Sequence, residues 1–262
     1  MENLDGIVLS ILSEIIEVAQ LTHEKGWAEG NGGNFTIRID EEIATWWIDS
    51  DIKEQKKIPL IKNFRELDGD FFIVKGAGKR LRDIIKSPKD NLCIGQINNK
   101  EFSIIWPLKC PFKPTSEFIS HLIIQEYNKR NNPDNTVVFH THPTELIAFS
   151  LLKWIQNTDS LNKLLSGVTP SLGIFLPNGI GYAPYEIPSS DELASITEKL
   201  IPYHQMILWE KHGILCTGKS MLECFDLIDI TNKAAKIYLL TRPDAIKLLS
   251  EKNIDDIKER FH

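Results

Sequence analysis

Short apolar runs alternate with longer stretches of helical periodicity along most of this chain. Apolar side chains recur every three or four positions from Leu4 to Glu24, which predicts one amphipathic helix. A glycine turn then precedes residues 35–39, where apolar and polar side chains alternate as they do in a strand. Short strands bounded by helices in this way predict an α/β or α+β fold.

The same two patterns assign most of the remaining chain. Strands are predicted at residues 71–74, 91–97, 102–106, 136–140, 173–176 and 206–209. Helices are predicted at residues 118–127, 144–155, 190–201, 221–240, 244–250 and 255–261. Residues 40–69 show no pattern beyond a short helix. No linker rich in Gly, Ser or Pro divides the chain, so residues 1–262 are predicted to form a single domain.

Charge and hydropathy disfavour several classes of protein. The chain has 30 basic and 36 acidic residues, and its formal charge of −6 argues against a general nucleic-acid-binding surface. No run of about 18 apolar residues is present, so no membrane-spanning helix is predicted. The acidic first five residues lack the basic start of a signal peptide, which favours the cytoplasm. Four cysteines without Cys-x-x-Cys spacing are expected to be buried free thiols: Cys93, Cys110, Cys216 and Cys224.

A His-x-His pair ends one of the predicted strands. Side chains alternate faces along a strand, so His140 and His142 project to the same side and offer two aligned nitrogen ligands. His212, in a turn that follows the strand ending at Trp209, can supply the third protein ligand that a catalytic zinc site needs. The spacing is equally compatible with two surface histidines, so a metal site and a solvated pair both remain open.

Glu117 opens the predicted helix at residues 118–127. A carboxylate at a helix start is favoured by the backbone N–H groups and the helix dipole, and many such residues have no other role. Beside a metal-bound substrate it would instead act as a general base.

Three loops can bring backbone donors close to an anion. They are the glycine loop at residues 30–34, the loop at residues 76–78 and the pair Thr115-Ser116. Each can also be a plain turn or helix cap. Neither the P-loop nor the dinucleotide-binding glycine pattern is present, so the loops do not imply a nucleotide.

Taken together and in order, these motifs resemble the class II aldolase and adducin family. The similarity spans nearly the whole chain, and it is strongest to the members that cleave L-rhamnulose 1-phosphate. The segments that carry it are residues 25–34, 72–76, 114–117, 140–143 and 209–213. The fold that the resemblance implies is a single domain with a mostly antiparallel central sheet covered by helices on both faces.

The resemblance also implies an activity and a set of site residues. The activity is zinc-dependent aldol cleavage of a ketose 1-phosphate to dihydroxyacetone phosphate and L-lactaldehyde, in a homotetramer with one zinc ion per subunit. His140, His142 and His212 would hold the metal, and Glu117 would shuttle the proton. The substrate phosphate would lie against Asn31, Gly33, Asn34, Gly78, Thr115 and Ser116.

Two positions depart from the family pattern. Ala77 stands where similar aldolases place a hydroxyl residue that contacts the phosphate, so one hydrogen bond would be missing. Ser171 stands where they carry a glutamate that assists proton transfer at the aldehyde end. Without that acid, metal binding would be kept, but cleavage would be slower or the accepted aldehyde would change.

Two other functions fit the same fold. A sugar-phosphate epimerase or dehydratase, or a fuculose-phosphate aldolase, would use the same metal. An adducin-like interaction module would have lost the metal chemistry. The segments at residues 58–60 and 187–190 favour the rhamnulose-type aldolase over an epimerase, and the three retained histidines argue against the interaction module.

Overall fold

The computed structural model describes residues 4–47, 56–107, 112–241 and 247–262. In these residues, nine strands form one sheet in the order β2-β5-β4-β3-β1-β6-β9-β8-β7. The strands are β1 (Asn34–Ile39), β2 (Lys56–Pro59), β3 (Phe71–Lys75), β4 (Leu92–Asn98), β5 (Glu101–Trp106), β6 (Val137–Thr141), β7 (Gly181–Ala183), β8 (Met206–Trp209) and β9 (Gly213–Gly218). All neighbouring strands are antiparallel except β7 and β8, which confirms the predicted mostly antiparallel sheet.

Helices cover both faces of this sheet. They are α1 (Leu4–Glu24), α2 (Glu41–Trp46), α3 (Leu81–Ile84), α4 (Pro88–Asn91), α5 (Phe118–Asn131), α6 (Thr144–Ser150), α7 (Thr158–Val168), α8 (Pro170–Phe175), α9 (Asp191–Leu200), α10 (Met221–Leu240) and α11 (Glu251–Phe261). A single turn of 3₁₀ helix lies at Arg65–Leu67. Among the described helices none is long and apolar enough to span a membrane.

The alternation of side chains along β6 shows how the two faces are filled. Val137 and Phe139 join the larger core, which packs against α1, α7 and α10. Val138 points the other way, into a core shared with α5 and α9. Because both faces are buried, β3 and β8 read as continuous apolar runs, whereas β1 keeps its alternation of apolar and polar side chains.

Three predicted elements differ from the structure. Residues 173–176 lie mostly in helix α8, because Pro170 fits the first turn of a helix and a four-residue apolar run has no period of its own. The helix predicted at residues 144–155 ends at Ser150, and the following residues form turns that lead into the Asn157 capping box of α7. In the predicted helix 244–250, residues 244–246 lie outside the described residues, and residues 247–250 are not helical.

Other elements were absent from the prediction. These are β7, β9 and α7, together with α3, α4 and the strand and 3₁₀ turn within residues 40–69. The hairpin turn at Asn98 and Asn99 is confirmed, with Asn99 in the left-handed region at a φ of 55°. Cys93, Cys216 and Cys224 are buried free thiols as predicted, whereas Cys110 lies outside the described residues.

Candidate active site

The candidate site lies at one end of the three central strands. In the antiparallel sheet, the end of β6 lies beside the starts of both β1 and β9, and His140 is opposite Asn34 on one side and Leu215 on the other. His142 follows β6 directly, and His212 occupies the tight turn between β8 and β9. The topology therefore brings together three histidines that are as far apart as 72 positions in sequence.

The three imidazoles converge on one point. One ring nitrogen from each of His140, His142 and His212 lies within 4.8 Å of the others, and the Nε2 atoms of His140 and His142 are 3.1 Å apart. The Nδ1 atom of His140 lies 2.9 Å from the carbonyl oxygen of Ile214, and that of His142 lies 2.7 Å from a carboxylate oxygen of Glu29. Each of these oxygens accepts a hydrogen bond, so each Nδ1 carries a proton, and in the neutral rings the Nε2 lone pairs face each other.

This donor set fits a metal ion. Two lone pairs at hydrogen-bond distance with no proton between them repel one another, and a cation placed between them removes that repulsion. The Nδ1 atom of His212 is buried, and no hydrogen-bond partner for it is found in the described part of the chain. Three imidazole ligands with an open fourth position are the pattern of catalytic zinc sites.

The backbone around the histidines is packed too tightly for any other residue at Gly213. A Cβ atom there would lie 2.5 Å from the carbonyl oxygen of Thr141 and 2.9 Å from ring atoms of both His140 and His142. Lys211, the residue before His212, has a φ of 62° and donates its backbone N–H to the hydroxyl oxygen of Ser150. The turn that carries His212 is therefore held from both sides.

Glu117 lies immediately before α5, and its carboxylate is buried against the histidines. Oε1 lies 3.2 Å from Nε2 of His212, Oε2 lies 3.6 Å from Nε2 of His140, and Asn34 donates to Oε2 at 2.8 Å. The side chain makes no capping hydrogen bond to α5, which argues against a plain helix-start role. Burial raises its pKa, but His140, together with hydrogen bonds from His212 and Asn34, outweighs that effect and holds the pKa well below the usual range. The group is a carboxylate at neutral pH.

A cavity of about 140 Å³ lies beside Glu117 and the histidines. All ten residues that the sequence analysis singled out line it: Asn31, Gly33, Asn34, Gly78, Thr115, Ser116, Glu117, His140, His142 and His212. Ala77 also lines the cavity, whereas Ser171 lies in the first turn of α8 and is not part of its wall.

Lys75 is a residue of this cavity that the sequence analysis did not select. It ends β3, is only 2% exposed, and donates from Nζ to the carbonyl oxygen of Asn31 at 3.1 Å. Burial lowers its pKa to about 8, although the nearby Glu117 carboxylate opposes that shift. The available signal was a lysine at the end of an apolar strand, directly before a glycine loop.

A buried carboxylate and three inward-facing imidazoles thus share a cavity walled by glycine loops, and the imidazoles could hold a metal ion. The model of the class II aldolase and adducin N-terminal domain matches residues 13–239. The chain therefore belongs to the class II aldolase and adducin family.

Curated relatives and solved structures agree with this assignment. The chain is 34% identical to the rhamnulose-1-phosphate aldolase of Bacteroides thetaiotaomicron, over 92% of this chain and 89% of the relative. It is 29% identical to that of Listeria welshimeri, over 96% and 91% of the two chains. It superimposes on a sugar-phosphate aldolase from Thermotoga maritima with a TM-score of 0.75 and 29% identity, over 89% and 95% of the two chains. The chain is thus a lyase of the class II aldolase type.

Proposed function

We propose that this protein catalyses the zinc-dependent cleavage of L-rhamnulose 1-phosphate to dihydroxyacetone phosphate and L-lactaldehyde. The observation that carries the proposal is the ionised Glu117 carboxylate, held 3.2 Å from the His212 imidazole inside a cavity that is also lined by residues of the glycine loops. The names of the relatives with 29–34% identity support the substrate. The positions of the ten predicted residues in one cavity support the site.

The metal ligands in this proposal are His140, His142 and His212, with one zinc ion per subunit. Bound there, zinc would polarise the ketose carbonyl and stabilise the negative charge that develops on the ketone half during cleavage. The Ile214 carbonyl oxygen, which lies 2.9 Å from Nδ1 of His140, would hold that ring with its Nε2 atom directed at the metal.

Glu117 is the proposed proton-transfer residue. Cleavage takes a proton from the hydroxyl group that becomes the aldehyde and leaves the electron pair of the broken bond on the carbon of the ketone half, which must gain a proton. The ionised Glu117 carboxylate would first accept a proton and then deliver it to that carbon, so the reaction has no net gain or loss of protons. Among the described residues that line the cavity, Glu117 is the one carboxylate. Asn34 holds one oxygen of that carboxylate by a hydrogen bond, so the group is oriented before substrate binds.

The substrate phosphate would lie against the loop residues that line the same cavity. Asn31, Gly33, Asn34, Gly78, Thr115 and Ser116 offer backbone N–H groups, amides and hydroxyls there. The ammonium group of Lys75 adds a positive charge to the cavity, and only one of its N–H donors is used by the Asn31 carbonyl.

The direct test is analysis of the products formed from two substrates. Purified zinc-loaded protein is incubated with L-rhamnulose 1-phosphate and, separately, with L-fuculose 1-phosphate, and released dihydroxyacetone phosphate is measured with a coupled dehydrogenase. We expect faster release from the rhamnulose ester. An isomerised or dehydrated sugar phosphate without a triose phosphate would favour the epimerase or dehydratase, and protein that binds no zinc and turns over neither ester would favour the interaction module.

A homotetramer in the cytoplasm completes the proposal. Large apolar side chains remain exposed on this chain, among them Leu151 and Trp154 beyond α6 and Phe175 at the end of α8. Such side chains support burial in an assembly. Light scattering behind size-exclusion chromatography tests the tetramer, and a dimer or monomer at working concentration would refute it.

A further inference from the structure

The loop between α1 and β1 contacts the metal-ligand strand at three points. The backbone N–H of His142 and the hydroxyl group of Thr141 both donate to the carbonyl oxygen of Trp27, at 2.9 and 2.7 Å. Two residues further on, the Glu29 carboxylate accepts from Nδ1 of His142 at 2.7 Å. Residues 27–29 therefore hold His142 by its backbone and by its ring.

The loop itself is firmly anchored. Trp27 is buried and packs against Phe225 of α10, with ring centroids 5.6 Å apart. After Glu29 the chain turns sharply, because the Gly32 N–H donates to the Glu29 carbonyl oxygen at 2.8 Å. A Cβ atom on Gly32 would lie 2.9 Å from Nδ1 of His142, so the turn closes directly over the imidazole.

The anchored backbone affects how strongly the hydrogen bond between His142 and Glu29 holds the His142 ring. The Glu29 side chain is 68% exposed, and an exposed pair between two free side chains contributes little. Here the backbone at both ends of the contact is fixed, so only the side-chain torsions of Glu29 lose freedom when its carboxylate accepts the bond. Its effect is exerted on the ring of His142, which it holds with Nδ1 protonated and Nε2 directed at the other histidines.

The three imidazoles are not supported equally. His140 has the buried Ile214 carbonyl oxygen as its partner, and no partner is found for Nδ1 of His212 in the described ranges. Among the three Nδ1 atoms, that of His142 is the one whose partner in the described ranges is a side chain, the Glu29 carboxylate. A single substitution can therefore remove its support without disturbing the strand that carries it.

We propose that Glu29 is a positioning residue for metal binding, which orients the His142 imidazole and fixes its tautomer. The inference rests on the proposed function only in that His142 is a metal ligand there; it does not depend on which substrate is cleaved.

The test is the zinc affinity of the whole protein, measured by competition with a chromogenic chelator at fixed pH. We expect Glu29→Ala to weaken zinc binding roughly 10- to 100-fold. Glu29→Gln keeps an acceptor oxygen and should lose less than Glu29→Ala. Glu24→Ala, which removes another exposed carboxylate at the end of α1, is the matched control and should bind zinc like the wild type.

Two further measurements separate positioning from a general structural effect. The melting temperature of the zinc-free protein should be the same for Glu29→Ala and wild type, since the removed group is exposed. Turnover of Glu29→Ala should recover when zinc is raised to saturation.

Wild-type zinc affinity in a folded Glu29→Ala protein would overturn the inference. Failure of the wild type to bind zinc would overturn it together with the metal part of the proposed function, whereas zinc binding without aldol cleavage would leave it standing.

Discussion

The two walls of the cavity are built in different ways. The histidine wall, which carries His140, His142 and His212, consists of strand ends and a turn. These are packed so closely that a Cβ at Gly213 would lie 2.5 Å from the backbone of Thr141. On the loop wall at residues 77 and 78, Ala77 is exposed and a Cβ at Gly78 would meet no atom within 4 Å, although the φ of 71° at Gly78 disfavours a side chain there. The comparison teaches that close packing fixes the positions of the histidines, whereas residues 77 and 78 have open space beside the cavity.

Substitutions that crowd the histidine wall should have the largest effects on turnover and zinc binding. We expect Gly213→Ala to abolish detectable turnover, to weaken zinc binding by more than about 100-fold and to cost about 1–3 kcal/mol of stability, because the methyl group meets backbone and two ligand rings. Zinc titration and thermal denaturation measure these effects. Gly6→Ala, where a Cβ meets nothing within 4 Å, should leave zinc binding unchanged and stabilise α1 slightly. Equal zinc affinity in both variants would contradict the tight-packing account.

Glu117→Gln tests the chemistry of the same wall without disturbing its shape. We expect kcat to fall about 10²- to 10⁴-fold, because the amide cannot transfer the proton, while zinc remains bound. Metal analysis of the purified variant and the rate of dihydroxyacetone phosphate release measure the two quantities. A variant that retains wild-type turnover would remove Glu117 from the proposed role.

Lys75→Met tests the charge on the loop wall. We expect KM for the phosphorylated ketose to rise about 10-fold or more, because a charge-assisted hydrogen bond to phosphate is lost. Lys86→Met, at an exposed lysine outside the cavity, should leave KM unchanged. If the two variants have equal KM values, Lys75 does not contact the substrate.

Lys75→Met should stabilise the folded protein although it weakens substrate binding. The folded pKa of about 8 lies below the usual 10.5, so between these values the unfolded chain holds a proton that the folded chain has released. Stability of the wild type should therefore rise with pH across that window, and below pH 8 the buried ammonium costs about 1–3 kcal/mol. Lys75→Met should be more stable at pH 7 and lack this rise, which urea denaturation at a series of pH values can measure.

Ala77→Ser is the mildest change to the loop wall. A hydroxyl group facing the cavity adds one donor, so we expect KM to fall about 2- to 10-fold with little effect on stability. Ala77→Val adds bulk without a donor and should bring no such gain. A similar KM for Ala77→Ser and Ala77→Val would mean that the side chain at position 77 does not contact the phosphate.

The sequence predicted which residues lie together around one cavity better than it predicted the helices and strands around them. Alternation of side chains on a strand is a strict geometric rule, so the pairing of His140 and His142 followed from their spacing. The helix at 4–24 was found because its periodicity is long. Residues 173–176 were assigned wrongly, because so short an apolar run fits a helix and a strand equally well.

What the sequence did not reveal depends on contacts between distant residues. Lys75 looks like an ordinary surface lysine after a strand, and only the fold shows that its ammonium group is buried near Glu117. The support of His142 by Glu29 joins residues 113 positions apart, and no local pattern encodes it. The convergence of three loops on one cavity was inferred from a family resemblance rather than from the residues alone.

The most direct test of the central claim is removal and return of the metal. Dihydroxyacetone phosphate release from L-rhamnulose 1-phosphate is measured before chelation, after chelation and dialysis, and after one equivalent of zinc per chain is restored, with Glu117→Gln in parallel. We predict that release stops on chelation, returns with zinc and stays absent in the variant. Release that persists in chelated protein, or that zinc restores equally in Glu117→Gln, would contradict the account.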